Sequence, residues 1–263
     1  MASAPRILTD ADVAKLPMST VVDCMERTLK RLVSGELVAP ARLSTGELLP
    51  VVAAGDAHEG AAAAQDQLAR SQRTHADGAG ELVFTPGAVP GAIGFRVYDL
   101  VQLSSPRRAE IVAVLSTEDG SLSSLVMGPL LGAMRTGGIG GVALRHLVRA
   151  SASVLALVGC GYQARTQLMA ACAIGRTWSQ VRVYARRREQ AEQFVLEMMN
   201  LPIPLAGLPA DGIMVNESVE AAVRGADVVI CTTTATSPLI KTEWLSPGTH
   251  VTNVGPKFSD GAE

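Results

Sequence analysis

Aromatic side chains are scarce in this sequence: Phe, Tyr and Trp make up 3% of its 263 residues, while apolar residues of all kinds make up 48%. A chain of this length can bury a sizeable core, but that core must be mainly aliphatic. The scarcity also removes the stacking platforms that single-stranded nucleic acids require. With a net charge of -2 and Lys and Arg scattered rather than massed, the basic stripe that a duplex requires is missing too. No nucleic-acid partner is expected. No apolar run is long enough to cross a bilayer. The opening stretch MASAPRILTDADVAKLP lacks the charged-then-apolar pattern of a secretory signal. No membrane association is expected, and the default compartment is cytoplasmic.

Paired cysteines are missing as well. Cys24, Cys160, Cys172 and Cys231 form no CxxC motif and lie in apolar surroundings, so they read as buried small hydrophobes rather than a disulfide framework or zinc site. His58, His75, His146 and His250 show no metal-ligand spacing. Asp56, His58 and Glu59 crowd together in GDAHEG, but nothing elsewhere completes a coordination shell, and a solvated loop is the simpler reading. No metal site is expected.

What is present falls into two grammars. In the first half, Ser19 or Thr20 can cap a helix whose Val21, Met25, Leu29, Leu32 and Val33 recur at helical spacing until Gly35 ends it. Residues 59–79 read as a surface helix or an irregular excursion. The period then changes to two: GELVF, AIGFRVYDL and AEIVAVLS read as strands, and STEDGSLSSLVM as a hairpin turning at Asp119-Gly120. A helix over about 134–149 follows. From Val154 onward, strands and helices alternate: VLALVG, a helix over 162–174, VRVYA, the helix REQAEQFVLEMM, a third strand at IMV, the short helix ESVEAAVRGA, DVVICTT and THVTNV. Such alternation makes a parallel sheet with right-handed crossovers. The expected architecture is α/β: a Rossmann-type parallel-sheet domain over 134–263, with a separate N-terminal α+β domain over 1–133.

Between the first of these parallel strands and its helix stands GxGxxA: Gly159, Gly161 and Ala164. The flanking strand and helix are the context that gives this motif its meaning. The first glycine allows the tight turn, the second lets backbone N–H groups approach a pyrophosphate, and the alanine keeps helix and strand close. The alternative is a tight strand-to-helix turn without a ligand. At the end of the second parallel strand, an NAD-selective fold carries an acid for the ribose 2′-hydroxyl. VYARRREQ instead offers Arg186, Arg187 and Arg188. Cations at a helix start oppose its dipole, and guanidinium groups suit a 2′-phosphate. NADP(H) is therefore favoured, with NAD(H) the alternative.

Taken together, PAR near Arg42, IGFRVYD, MRTGG, LVGCGYQAR, VYARRRE, GADVVICTTTATSPLI and WLSPGTHVTNVG resemble the ornithine cyclodeaminase/mu-crystallin family. The resemblance implies hydride exchange between a nicotinamide and a C–N carbon next to a carboxylate, with a small imino, keto or amino acid as substrate. It also implies a homodimer built through the N-terminal domain, which serves substrate binding and dimerisation. Arg42 and Arg135 match the carboxylate-binding arginines, a task that suits a bidentate guanidinium. Taken alone, Arg42 reads as a surface residue, whereas Arg135, between an apolar run and a glycine cluster, would need an anionic partner if buried. The resemblance places Thr136 toward the nicotinamide. It lays Gly159, Gly161, Tyr162, Gln163, Ala164, Arg186, Arg187, Thr232, Thr233, Val254 and Gly255 along the cofactor.

Two positions depart from the pattern. Arg96 stands where the family has a lysine, and arginine cannot lose its proton to serve as an acid/base. Lys257 stands about where the cyclodeaminases place an aspartate; Asp260 is near. Arg42, Arg96, Arg135 and Lys257 are thus the candidate catalytic residues of an NADP(H)-dependent imino-acid or ketimine reductase or amino-acid dehydrogenase. The alternatives are an ornithine cyclodeaminase releasing ammonia and a non-catalytic NADP(H)-binding protein. The family pattern continues with another strand and helix, so the C-terminal return segment is expected to be absent here.

Overall fold

The computed structural model describes residues 4–40, 43–44, 82–99, 110–202, 205–208 and 212–255. The region 59–79 and the Asp56, His58, Glu59 cluster lie outside them. Two compact units divide the chain, one of Met1–Lys15 with Thr28–Leu131, the other of Leu16–Arg27 with Gly132–Glu263.

The first unit is built on a six-stranded sheet from β1 (Arg6–Thr9), β2 (Leu43–Ser44), β3 (Leu82–Val89), β4 (Ala92–Asp99), β5 (Glu110–Ser116) and β6 (Leu122–Met127), in the order β1-β6-β5-β4-β3-β2. Only β1 runs parallel to its neighbour. The β5–β6 hairpin turns where expected: Gly120 has φ +70, and Asp119 Oδ1 accepts from the Ser121 amide at 3.0 Å. The strand read as GELVF runs on to Val89. It pairs with Ala92 across a Pro90-Gly91 turn, a hairpin signal the period-two reading passed over.

Pairing register divides the side chains between two faces. One carries Phe84, Phe95, Val97, Ile111 and Met127. The other carries Thr85, Arg96, Tyr98, Glu110 and Val126. Val83, Tyr98, Glu110 and Val126 on the second face are buried.

A short helix α1 (Asp10–Val13) follows β1, and α2 (Met18–Val33) follows that. The start of α2 corrects the expected cap: Val21 donates to the Pro17 carbonyl, so Ser19 and Thr20 lie inside the first turn. The far end is as expected. Gly35, at φ +76, ends the helix while the Gly35 and Glu36 amides donate back to Leu32 and Arg31. The expected apolar stripe is only partly buried. Met18 and Val22 are buried, whereas Leu29, Leu32 and Val33 are exposed. Cys24, expected to be buried, is exposed on this helix.

Helix α3 (Leu130–Leu147) starts four residues before the expected position. The reason is a tertiary cap: Asp10 Oδ1 accepts from the Leu130 amide at 3.0 Å across 120 residues of sequence. Gly128, at φ +115, has no room for a side chain because the Asp10 carboxylate lies against it.

The second unit holds a five-stranded, all-parallel sheet of β7 (Val154–Val158), β8 (Gln180–Tyr184), β9 (Ile213–Val215), β10 (Val228–Cys231) and β11 (His250–Asn253). The order is β11-β10-β7-β8-β9. Crossovers run through α4 (Tyr162–Ala173), α5 (Arg188–Met199) and α6 (Val219–Val223). Leu155, Leu157, Val181, Val183 and Ile230 pack with Leu168, Trp178 and Phe194. Ala156, Val158 and Val229 pack on the opposite side with Val223 and Ala226. Both faces are covered, which is why these strands read as apolar runs. The chain reverses direction across the sheet between β7 and β10, the crevice where such folds bind ligands.

Candidate functional site

The glycine loop lies at that reversal. Gly159 takes φ +97, a conformation that L side chains rarely adopt, and a Cβ there would lie 2.9 Å from Thr233 Cγ2 and 3.0 Å from Thr232 Oγ1. Thr232 Oγ1 donates to the Gly159 carbonyl at 2.9 Å, tying the end of β10 to the loop. Gly161 caps α4 and differs in kind: a Cβ there would meet nothing within 4 Å. The space at Gly161 is open to a ligand, whereas that at Gly159 is filled by protein. No side chain caps α4, and its first turn holds no acid, so the positive end of the helix dipole faces the opening uncompensated. Ala164 is fully buried, as close helix–sheet contact requires.

Beside the loop, a cavity of about 470 Å³ is lined by Cys160, Gly161, Tyr162, Arg165, Arg187, Glu189, Gln190, Gln193 and Phe194. Arg165 pairs with Glu197 and donates to the Gly161 carbonyl at 3.3 Å. The three successive arginines differ in surroundings. Arg188 is taken by Glu192 at 2.8 Å and Glu217 at 3.7 Å. Among the described residues, exposed Arg186 and cavity-lining Arg187 pair with no acid. Glu189, which follows them directly, was not singled out from the sequence, although it is the acid nearest the end of β8. Burial pushes the Cys160 thiol up to about 11, so it is not a nucleophile at neutral pH.

Thr233, Val254 and Gly255 lie at the same strand ends. The Val254 amide donates to the Cys231 carbonyl at 2.8 Å. A Cβ on Gly255 would lie 2.7 Å from the Thr233 carbonyl oxygen. Gln163 Oε1 is buried without a hydrogen-bond partner. Thr136 on α3 is tied to α4, because Gln167 Nε2 donates to its carbonyl at 3.1 Å, while its own hydroxyl donates to the Gly132 carbonyl. Arg135 stands half-buried one residue earlier. Arg42, Lys257 and Asp260 lie outside the described residues.

In the first unit, Arg96 has a partner the sequence reading missed. Its Nε donates to Glu110 Oε1 at 2.7 Å; the Arg96 side chain is 19% exposed and that of Glu110 fully buried. The guanidinium carbon lies 4.3 Å from the Tyr98 ring centroid. The signal was present: an acid in an inward register of the apolar strand AEIVAVLS calls for a cation on its neighbour.

The parallel sheet, its reversal point and the glycine loop define a Rossmann-type α/β protein. The model of the ornithine cyclodeaminase/mu-crystallin family matches residues 43–263, and the chain belongs to this family. It is 33% identical over 183 residues to a Rhizobium meliloti chain provisionally named a dehydrogenase, a match covering 67% of this chain and 53% of that one. It is 30% identical over 163 residues to the ketimine reductase mu-crystallin of Macropus fuliginosus, covering 61% and 47%. The chain thus spans about half the length of the curated relatives it matches. Among solved structures, Thermococcus litoralis Δ1-pyrroline-2-carboxylate reductase in complex with NADH and L-proline superposes with a TM-score of 0.72 at 26% identity, covering 95% of this chain and 68% of that one. An archaeal alanine dehydrogenase dimer with bound NAD has the same fold, with a TM-score of 0.67 at 23% identity, covering 94% and 66%.

Proposed function

We propose that the chain is an NADP(H)-dependent oxidoreductase acting at a C–N carbon next to a carboxylate in a small imino, keto or amino acid. The observation that carries this reading is the open space at Gly161, at a helix N-terminus that no side chain caps, which fits a pyrophosphate. A bound nicotinamide would supply the hydride. The chain's own part is to seat the dinucleotide through Gly159, Gly161 and the first turn of α4; the candidates for holding the substrate carboxylate are Arg42 and Arg96 in the first unit and Arg135 in the second. Arg186 and Arg187 favour a 2′-phosphate. Glu189 in the same cavity, together with the NADH and NAD named in the neighbours, keeps NAD(H) as the alternative.

The N-terminal unit is the proposed substrate and dimerisation domain. Its face of Phe84, Ile93, Ile111 and Met127 is apolar and exposed, the kind of surface that marks an interaction site, and a second copy of the chain is the proposed occupant. Among the described residues, no helix is long and apolar enough to cross a membrane. The cysteines are all free, which suits a reducing, cytoplasmic setting.

Fluorescence titration with NADPH and NADH tests the cofactor reading. NADPH should bind more tightly, Arg187→Ala should erase the difference, and Gly161→Val should weaken both by filling the opening. Equal affinities in the unsubstituted chain would overturn the NADP preference. Consumption of NADPH with 1-pyrroline-2-carboxylate or a keto acid plus amine tests the reaction. One observation favours a second reading, a non-catalytic NADP(H)-binding protein: Arg96 holds Glu110 and cannot supply a proton. NADPH binding without turnover across a broad imino-acid panel would select it. Ornithine converted to proline and ammonia with no net NADPH change would select a cyclodeaminase.

A further inference from the structure

Beside Arg96 stands a hydroxyl with no partner. Thr85 is directly opposite Arg96 in the β3–β4 register, so the two side chains share a face with their Cβ atoms about 5 Å apart. Thr85 Oγ1 is buried and makes no hydrogen bond. Buried polar atoms left in that state are rare and costly, and a valine would fill the same volume without the cost. The guanidinium is also only partly used. Its Nε goes to Glu110, and among the described residues its Nη1 and Nη2 have no hydrogen-bond partner. Glu110 behind it and the Tyr98 ring against it fix the plane in which those two nitrogens lie.

We propose that Thr85 and the two Nη groups of Arg96 form one carboxylate-binding set, and that Glu110 is the positioning residue that aims it. A carboxylate is planar and accepts two parallel N–H bonds from an arginine edge; one of its oxygens has a further lone pair for the Thr85 hydroxyl. The proposal rests on the reading that this chain takes a small carboxylate substrate, and it adds a residue that would discriminate a carboxylate from its ester or amide. A ligand able to accept from both groups is favoured over an ester or amide, which offers fewer acceptors and no charge. Glu110 holds the guanidinium by its Nε, and its contribution to the set is direction.

Calorimetry on the full chain with pyrrole-2-carboxylate, a planar carboxylate with no reducible C=N bond, tests this without requiring turnover. Thr85→Val should weaken binding about tenfold, the size of one hydrogen bond to a charged group, while the melting temperature holds or rises. Glu110→Gln keeps an acceptor for Nε and should stay within about threefold of the unsubstituted chain; Glu110→Ala should lose about tenfold or more. Tighter binding in both Glu110 variants would mean that the acid acts only by charge, and would overturn its positioning role. An unchanged affinity in Thr85→Val, or no binding by the unsubstituted chain, would overturn the set. NADPH titration of each variant separates these outcomes from a failure of the oxidoreductase reading. That reading can fail on cofactor binding or turnover while the carboxylate result stands.

Discussion

A single aspartate shows how the parallel sheet is tied at its base. Asp227 Oδ2 accepts from the amides of Ser153 at 2.7 Å and Val154 at 2.9 Å, and Oδ1 pairs with Arg149. Burial works to raise its pKa, but the Ser153 amide, Arg149 and the Val154 amide together outweigh it, and the net shift is downward. A carboxyl with a lower pKa in the folded than in the unfolded state adds stability that is complete above the unfolded value and is lost as pH falls through the folded one. Asp227→Asn should therefore cost about 1–2 kcal/mol near neutrality and flatten the acid limb of a melting-temperature profile. An unchanged acid limb would mean that the charge contributes nothing. His250 acts in the same direction at higher pH: burial lowers its pKa, so protonation below the ordinary imidazole range favours the unfolded chain.

At the scale of elements, α3 contradicts its own propensities. It carries five glycines in 18 residues, all buried, each costing about 1 kcal/mol relative to alanine in a helix interior. Packing within the second unit explains why they stay. A Cβ on Gly137 would lie 2.5 Å from the Thr166 carbonyl oxygen, and one on Gly140 would strike the Gln167 amide. On Gly138 its nearest neighbours would be the side chains of Met25 at 2.9 Å and Val21 at 3.0 Å, with the Val21 carbonyl oxygen farther off at 3.3 Å. Backbone cannot move aside, but a methionine can. Gly137→Ala should destabilise by about 1–3 kcal/mol despite its better propensity, and Gly138→Ala should cost clearly less. Urea denaturation of the two variants checks the order, and equal effects would remove the close-packing account.

This helix also marks the limit of what the sequence made legible. The parallel strands and GxGxxA announced themselves because burial on both faces and a fixed turn geometry impose local patterns. The start of α3 did not, because its cap comes from Asp10, far away in the chain. Arg96 was visible as an unusual residue, but its partner Glu110 and the orphan hydroxyl of Thr85 became apparent only once strand register put them on one face. Cys160 and Cys172 are buried as their apolar surroundings suggested, and Cys231 is half-buried; Cys24 is exposed, because a half-covered helix carries small apolar residues on both sides. Leu29, Leu32 and Val33 obey helical spacing and are still exposed, since periodicity reports a face and not what covers it.

For the whole molecule, the two sheets differ in what their faces meet. The parallel sheet is covered on both sides by its own unit. The other sheet buries Val83, Tyr98, Glu110 and Val126 on one face and leaves Ile7 at 67%, Ile93 at 48% and Phe84 at 41% exposed on the other. Phe84 and Phe95 stack on that open face with centroids 5.1 Å apart, and in a chain so poor in aromatics the pairing concentrates adhesive surface there. A self-complementary apolar face suits a two-fold interface in which each residue meets the same patch on the other copy. Sedimentation at micromolar concentration should then give a dimer. Ile93→Glu would bury an unpaired carboxylate in each copy, a penalty of several kcal/mol, and should weaken association by about a hundredfold or more. Leu196→Glu, at an exposed apolar position on α5 in the other unit, should leave the dimer intact. An unsubstituted chain that sediments as a monomer, or an Ile93→Glu dimer as tight as the original, would rule out this face as the interface.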